Sequence, residues 1–147
     1  MYKVQKYRPA LVKAGILTVS DKTADCFENA RAIFFALLAK LPHEEVHLIL
    51  LNGRSEVIGT VKIGQGGLHG CALTARDVLC PAVAGGAAAF IMGHNHPSGD
   101  PTPSNDDITM TAHVKKCADL IGIPLVDHII VCPETKLARS VLEEYEP

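Results

Sequence analysis

The segment His94-Asn95-His96-Pro97-Ser98-Gly99-Asp100-Pro101-Thr102-Pro103-Ser104-Asn105-Asp106-Asp107 gathers the residue types that bind a divalent metal. His94 and His96 close an apolar run, and at i, i+2 spacing in an extended chain both imidazoles leave the same face. Two neutral imidazoles converging on one point suit a divalent ion. The stiff Pro/Gly turn then brings Asp107, at the start of the next helix, back toward that point. Two His, one carboxylate and a water make an open, catalytic type of zinc site, unlike a structural site closed by four protein ligands. A plainer reading stands beside this one. Ser104-x-x-Asp107 ahead of an apolar helix is a capping box, and a His-x-His at a strand end also occurs in ordinary turns. For Ser104 the two readings are compatible: it can cap the helix and also donate to a substrate.

The elements that must position these residues follow from periodicity. Apolar side chains at 27, 30, 33, 34, 37 and 38 have helical spacing, within a segment from 24 that ends before Pro42. Residues 46–51 form an apolar run closed by Asn52-Gly53, and a second run at 57–63 pairs with it as an antiparallel hairpin. Residues 64–70 hold four glycines without the Gly-Lys-Ser/Thr ending of a phosphate-binding loop. Residues 76–84 read as a helix that Pro81 should kink or divide into two pieces. A small buried strand is expected at 87–93, and a turn-rich segment at 94–103. A helix at 108–120 should end at Gly122, with Pro124 beyond it. A buried strand at 125–132 follows, then a short strand and a polar tail. Strands alternating with helices give an α/β or α+β fold with a mixed sheet.

The whole chain, 1–147, reads as one domain, with residues 1–22 as an N-terminal extension and a core at about 23–140. Fourteen Lys plus Arg against sixteen Asp plus Glu, a formal charge of −2, argue against a DNA-coating or membrane-surface protein. Five cysteines, at 26, 71, 80, 117 and 132, form no C-x-x-C pair, so neither a disulfide framework nor a Cys-rich zinc site is expected. A reducing, cytoplasmic setting follows. The start, with Lys3, Lys6 and Arg8, is a weak mimic of a signal peptide. The run at 82–93 is too short and glycine-rich to span a bilayer. His43, His47, His69 and His113 read as surface or loop histidines. His128, beside Asp127 in a buried strand, reads as a hydrogen-bonded core pair, with support of the metal site as the alternative.

His-x-His, seven residues, Ser, two residues, Asp is the JAMM motif of the MPN-plus (JAB) metallohydrolases. The stretch from His94 to Ser104 closely resembles the RadC subfamily's version. The resemblance runs over 23–140 and includes Arg76-Asp77, Pro81, Leu120-x-Gly122-Ile123-Pro124 and Asp127-His128-Ile129-Ile130-Val131. It implies a cytidine-deaminase-like JAB/MPN fold, with a mixed sheet flanked by helices, binding one zinc through His94, His96 and Asp107. It also implies a glutamate at the head of the first long strand, which falls on Glu44, with Glu45 and Glu56 as alternatives. Because successive strand residues face opposite ways, only one of Glu44 and Glu45 can face the metal. The implied chemistry is amide hydrolysis. Zinc acidifies a water, Glu44 takes its proton and passes it to the leaving nitrogen, and Ser104 donates to the oxyanion.

Substrates implied by the resemblance are peptides or isopeptide-linked proteins. Two other classes stay open: a DNA-processing protein, the traditional label of RadC relatives, and a non-catalytic MPN-type interaction module. RadC proteins usually carry an N-terminal region of helix-hairpin-helix character, so the resemblance implies a stand-alone JAB domain and weakens the DNA reading. Gly66-Gly67, Thr74-Ala75 and Leu137 depart from the family pattern in the surroundings of the site, while the ligand set is intact. The contiguous letters His-Asn-His are not evidence for an HNH nuclease, whose residues are spread through a ββα-metal motif. The Pro-Cys-x-x-Cys half of the nucleobase deaminase signature does not occur.

Overall fold

The computed structural model describes residues 2–5, 11–39, 41–66 and 73–145. Gly67, His69 and Cys71, as well as the basic Lys6 and Arg8, lie outside the described residues. The elements are α1 (Phe27–Leu38), β1 (Glu45–Leu51), β2 (Val57–Gln65), α2 (Ala75–Ala84), β3 (Ala89–Asn95), α3 (Asn105–Ile121), β4 (Leu125–Cys132), β5 (Leu137–Ser140) and α4 (Leu142–Tyr145). Five strands form one mixed sheet in the order β2-β1-β3-β4-β5. Only β3 and β4 are parallel; the other neighbours are antiparallel. A parallel pair needs a crossover, and α3 supplies it, so its N-terminus lies where β3 ends. The expected α+β architecture with a mixed sheet is what the chain adopts.

Alternate strand residues point to opposite faces, and each face has its own core. Leu48, Leu50, Phe90 and Met92 pack with Val78 of α2 and with Val114 and Ala118 of α3. Ile49, Leu51, Ile91, Ile129 and Val131 pack with Phe34 and Leu38 of α1. With helices on both faces, all seven residues of β1 are buried, Glu45 and His47 among them. His47 is therefore not a surface histidine, because α1 covers the face that a strand read alone leaves open. Gly93 lies opposite His47, and a Cβ there would meet the Phe34 ring at 2.5 Å. Gly93→Ala is expected to destabilise the protein by roughly 1–3 kcal/mol through overpacking. A urea denaturation midpoint checks this, and an unmoved midpoint would mean that Phe34 swings aside without cost.

The element boundaries differ from the periodicity reading for local reasons. Helix α1 starts at Phe27 because Ala24 N–H is taken by the Ser55 carbonyl at 3.0 Å and Thr23 bridges Glu56. Helix α2 is a single element despite Pro81, opened by a Thr74–Asp77 capping box. Helix α3 starts at Asn105, since the Ser104–Asp107 box makes the polar first turn helical before the apolar pattern begins. It stops at Gly122, whose φ of 75° is the left-handed cap that favours glycine. Strand β3 runs two residues further than expected, so His94 and Asn95 belong to the sheet. The polar tail contains the short α4. No helix among the described residues is long and apolar enough to cross a membrane.

Candidate metal centre

Strand β3 and the cap of α3 meet at one point. His94, in β3, is buried; His96, one residue past the strand, is partly open; Asp107, in the first turn of α3, is buried. His94 Nε2 lies 3.3 Å from Asp107 Oδ1, and His96 Nε2 lies 3.5 Å from Asp107 Oδ2. The two Nε2 atoms are 2.9 Å apart. Ligand atoms of all three residues fall within 4.8 Å of one another, a spacing that a single metal ion can bridge.

The hydrogen bonds around the three residues leave the right atoms free. His96 Nδ1 lies 2.8 Å from the Asp100 carbonyl, so Nδ1 carries the hydrogen and Nε2 presents its lone pair. His94 Nδ1 lies 2.8 Å from His128 Nε2, which likewise leaves the His94 Nε2 lone pair for the site. Asp107 Oδ2 accepts from Ser104 N–H at 2.7 Å and from Ser104 Oγ at 2.8 Å, while Oδ1 faces His94. The capping box is formed through Oδ2, which His96 also approaches, and Oδ1 remains facing His94, so the cap does not bar the carboxylate from a ligand role. Two imidazole lone pairs aimed at each other beside a carboxylate are an arrangement that a cation satisfies, so the donor set fits a divalent ion.

Electrostatics agree. Burial pushes the Asp107 carboxyl upward, but with no ion bound the hydrogen bonds that protonated His94 and His96 rings donate through Nε2 outweigh it and hold it well below the usual carboxylate range. Burial pulls His96 down, yet its bonds to Asp107 and to the Asp100 carbonyl leave it raised. Burial drives His128 well below the ordinary histidine value, so it is neutral. The ring of His128 does not pair with Asp127. Asp127 Oδ1 instead accepts from Ser140 Oγ and from His128 N–H, both at 2.7 Å.

A cavity of about 260 Å³ opens over the cluster, lined by Glu44, His96, Ser98, Asp100, Thr102, Ser104 and Asp107. Of the three glutamates considered from sequence, only Glu44 is brought here. Glu56 sits at the other end of the hairpin, bonded to Lys22 at 2.6 Å and to Asn52 at 2.9 Å. Glu45 points to the α1 face, where its carboxylate meets His43 at 3.0 Å, His47 at 2.9 Å and Lys62 at 2.5 Å. His43-Glu44-Glu45-Val46-His47 spells the helical H-E-x-x-H zinc motif. Here the last three residues lie in a strand, and the Glu45 carboxylate is paired with the Lys62 ammonium. His113 is exposed on α3, as read from sequence.

Burial pushes the Glu45 carboxyl up, but the bonds from His47, Lys62 and His43 together lower it from 4.5 to about 2. A depressed carboxylate contributes stability above its unfolded value and loses it as pH falls through the folded one. Stability is therefore expected to drop between about pH 4.5 and pH 2. Glu45→Gln should flatten that limb of a denaturation series against pH.

Asn95, unremarked between the two histidines, does the work of a further rung between β1 and β3. Its Oδ1 accepts from Glu45 N–H at 2.8 Å, and its Nδ2 donates to the His43 carbonyl at 3.0 Å. The backbone on both sides of Glu44 is thereby tied to the strand that carries His94. The only sequence signal for this is strand alternation, which turns Asn95 away from its neighbours.

A model of the RadC-like JAB domain matches residues 24–144. The chain belongs to the RadC-like JAB domain family. A UPF0758 protein of Clostridium kluyveri is 38% identical to this RadC-like domain over 104 residues, which is 71% of the chain and 46% of that relative. One from Clostridium beijerinckii is 41% identical over 104 residues, 71% of the chain and 45% of the relative. One from Pelobacter propionicus is 43% identical over 110 residues, 73% of the chain and 48% of the relative. The chain spans about half the length of these curated relatives, and their names state no activity.

Proposed function

We propose that this RadC-like JAB domain is a zinc-dependent hydrolase of amide bonds, acting on peptides or isopeptide-linked proteins. The observation that carries the reading is that Glu44 shares one polar cavity with His96 and Asp107, at the open side of the His-His-Asp cluster. His94, His96 and Asp107 would hold the ion, and two imidazoles with one carboxylate suit zinc, although nickel and copper compete for such donors. A divalent ion supplies Lewis acidity there, polarising a carbonyl and acidifying a water.

The chain's own residues supply the rest. Glu44 takes a proton from the attacking water and delivers it to the leaving nitrogen, a role for which a carboxylate at the cavity wall is placed. Ser104 lines the same cavity, and its hydroxyl donates to Asp107. To donate to the substrate's developing oxyanion it exchanges that bond, while its backbone N–H keeps the carboxylate in place. Ser98, Asp100 and Thr102 complete a hydrophilic rim that suits a polar backbone segment better than an apolar side chain. The carboxylates of Glu44, Asp100 and Asp107 in one lining argue against a nucleic-acid backbone as the substrate.

The test is a cleavage screen of blocked peptides and lysine isopeptides by mass spectrometry on zinc-reconstituted protein. Cleavage that stops on chelation and returns with zinc supports the reading. Cleavage no greater than that of Glu44→Gln across the panel rejects it.

A further inference from the structure

Behind the ligand cluster, a buried chain of side chains joins β3, β4 and α3. His94 Nδ1 lies 2.8 Å from His128 Nε2, and His128 Nδ1 lies 2.5 Å from Thr111 Oγ1. Thr111 Oγ1 donates to the Asp107 carbonyl at 2.5 Å. His128 has no exposure and Thr111 almost none. Among the described residues, no buried side-chain nitrogen or oxygen lacks a partner.

The direction of each bond is fixed by the next. The Thr111 hydroxyl has one hydrogen, given to the Asp107 carbonyl, so toward His128 it accepts. His128 Nδ1 therefore carries the ring hydrogen, and its Nε2 accepts. His94 Nδ1 then donates, which leaves the His94 Nε2 lone pair facing His96 and Asp107. The chain starts and ends on proposed ligands: His94 in the sheet and Asp107 at the head of α3.

We infer that Thr111 and His128 are positioning residues that fix the tautomer and ring orientation of His94 and hold β3 and α3 at the separation a shared metal ion requires. The inference rests on the metal-centre reading. A threonine bonding to the carbonyl four residues back is common inside helices. What sets Thr111 apart is that the same hydroxyl meets a buried imidazole from another element. Partners of this kind typically govern metal affinity by 10- to 100-fold.

The experiment compares zinc affinity, by competition with a chromogenic chelator, for the parent, Thr111→Val, Thr111→Ser and His128→Leu. Thr111→Val keeps shape and removes the hydroxyl, and is expected to weaken zinc binding about 10-fold. Thr111→Ser restores the hydroxyl and should bind as the parent does. His128→Leu should weaken binding by up to about 100-fold. Imidazole ¹⁵N spectra of the zinc-loaded parent should show His128 neutral, with its hydrogen on Nδ1, a signature that packing alone does not set. Should His128→Leu fail to fold, the two Thr111 variants and the parent spectrum still decide. Parent-like affinity in Thr111→Val, or a hydrogen on His128 Nε2, overturns the inference. A parent that binds no zinc overturns the metal-centre reading and the inference with it.

Discussion

Glu44→Gln is expected to leave zinc bound and to lower amide hydrolysis by about 10²- to 10⁴-fold, the range that positioned proton transfer contributes. The amide keeps the size of the side chain and its place in the cavity lining but cannot take a proton. Because Glu44 stands outside the His94–His96–Asp107 cluster, metal content should equal that of the parent. The backbone around it should also be undisturbed, since Asn95 holds Glu45 N–H and the His43 carbonyl without using the Glu44 side chain. Glu45→Gln is the matched control. It alters the α1 face and the acid limb of stability, and it should retain the parent's turnover at neutral pH. Equal losses in both variants would place the proton-transfer group elsewhere.

The second large effect concerns the ion itself. His94→Ala with His96→Ala removes two of the three donors, and the remaining Asp107 carboxylate cannot hold zinc against a chelator. Activity should fall to background. The fold should persist, because Leu48, Leu50, Phe90, Met92, Val114 and Ala118 keep their packing and the Ser104–Asp107 cap is untouched. In the ion-free protein, deleting two imidazoles also removes the hydrogen bonds that their protonated rings donate to Asp107 and that hold its carboxyl low. Its titration should therefore move upward, toward what burial alone favours, and the metal-free variant should lose less stability on acidification than the metal-free parent.

The clustering of the candidate ligands was legible because it is local. Fourteen consecutive residues carry His94, His96, Ser104 and Asp107, and strand periodicity with a capping pattern suffices to aim them. The place of Glu44 at the cavity was legible only through the family resemblance, since alternation says that Glu44 and Glu45 face opposite ways but not which of them faces the cavity. The register of β1 on β3, Val46 opposite His94, is what brings it to the cavity. The supporting groups were hidden by sequence distance. Asn95 meets Glu45 across 50 positions, His94 meets His128 across 34, and Thr111 meets His128 across 17. His128 was assigned to its neighbour Asp127 because adjacency is visible and a parallel β3/β4 pairing is not. Burial of His47 was missed for a related reason: the strand's period says which residues share a face, but only the packing of α1 says that both faces are covered.

The most direct test of the account is the zinc content of untagged protein by elemental analysis, for the parent and for the His94→Ala, His96→Ala double variant after zinc loading and exhaustive dialysis. About one zinc per chain in the parent and none in the variant is the predicted result. A parent that holds no metal after loading, or a double variant that holds as much as the parent, would contradict it. The histidine segment would then be turn and cap chemistry alone.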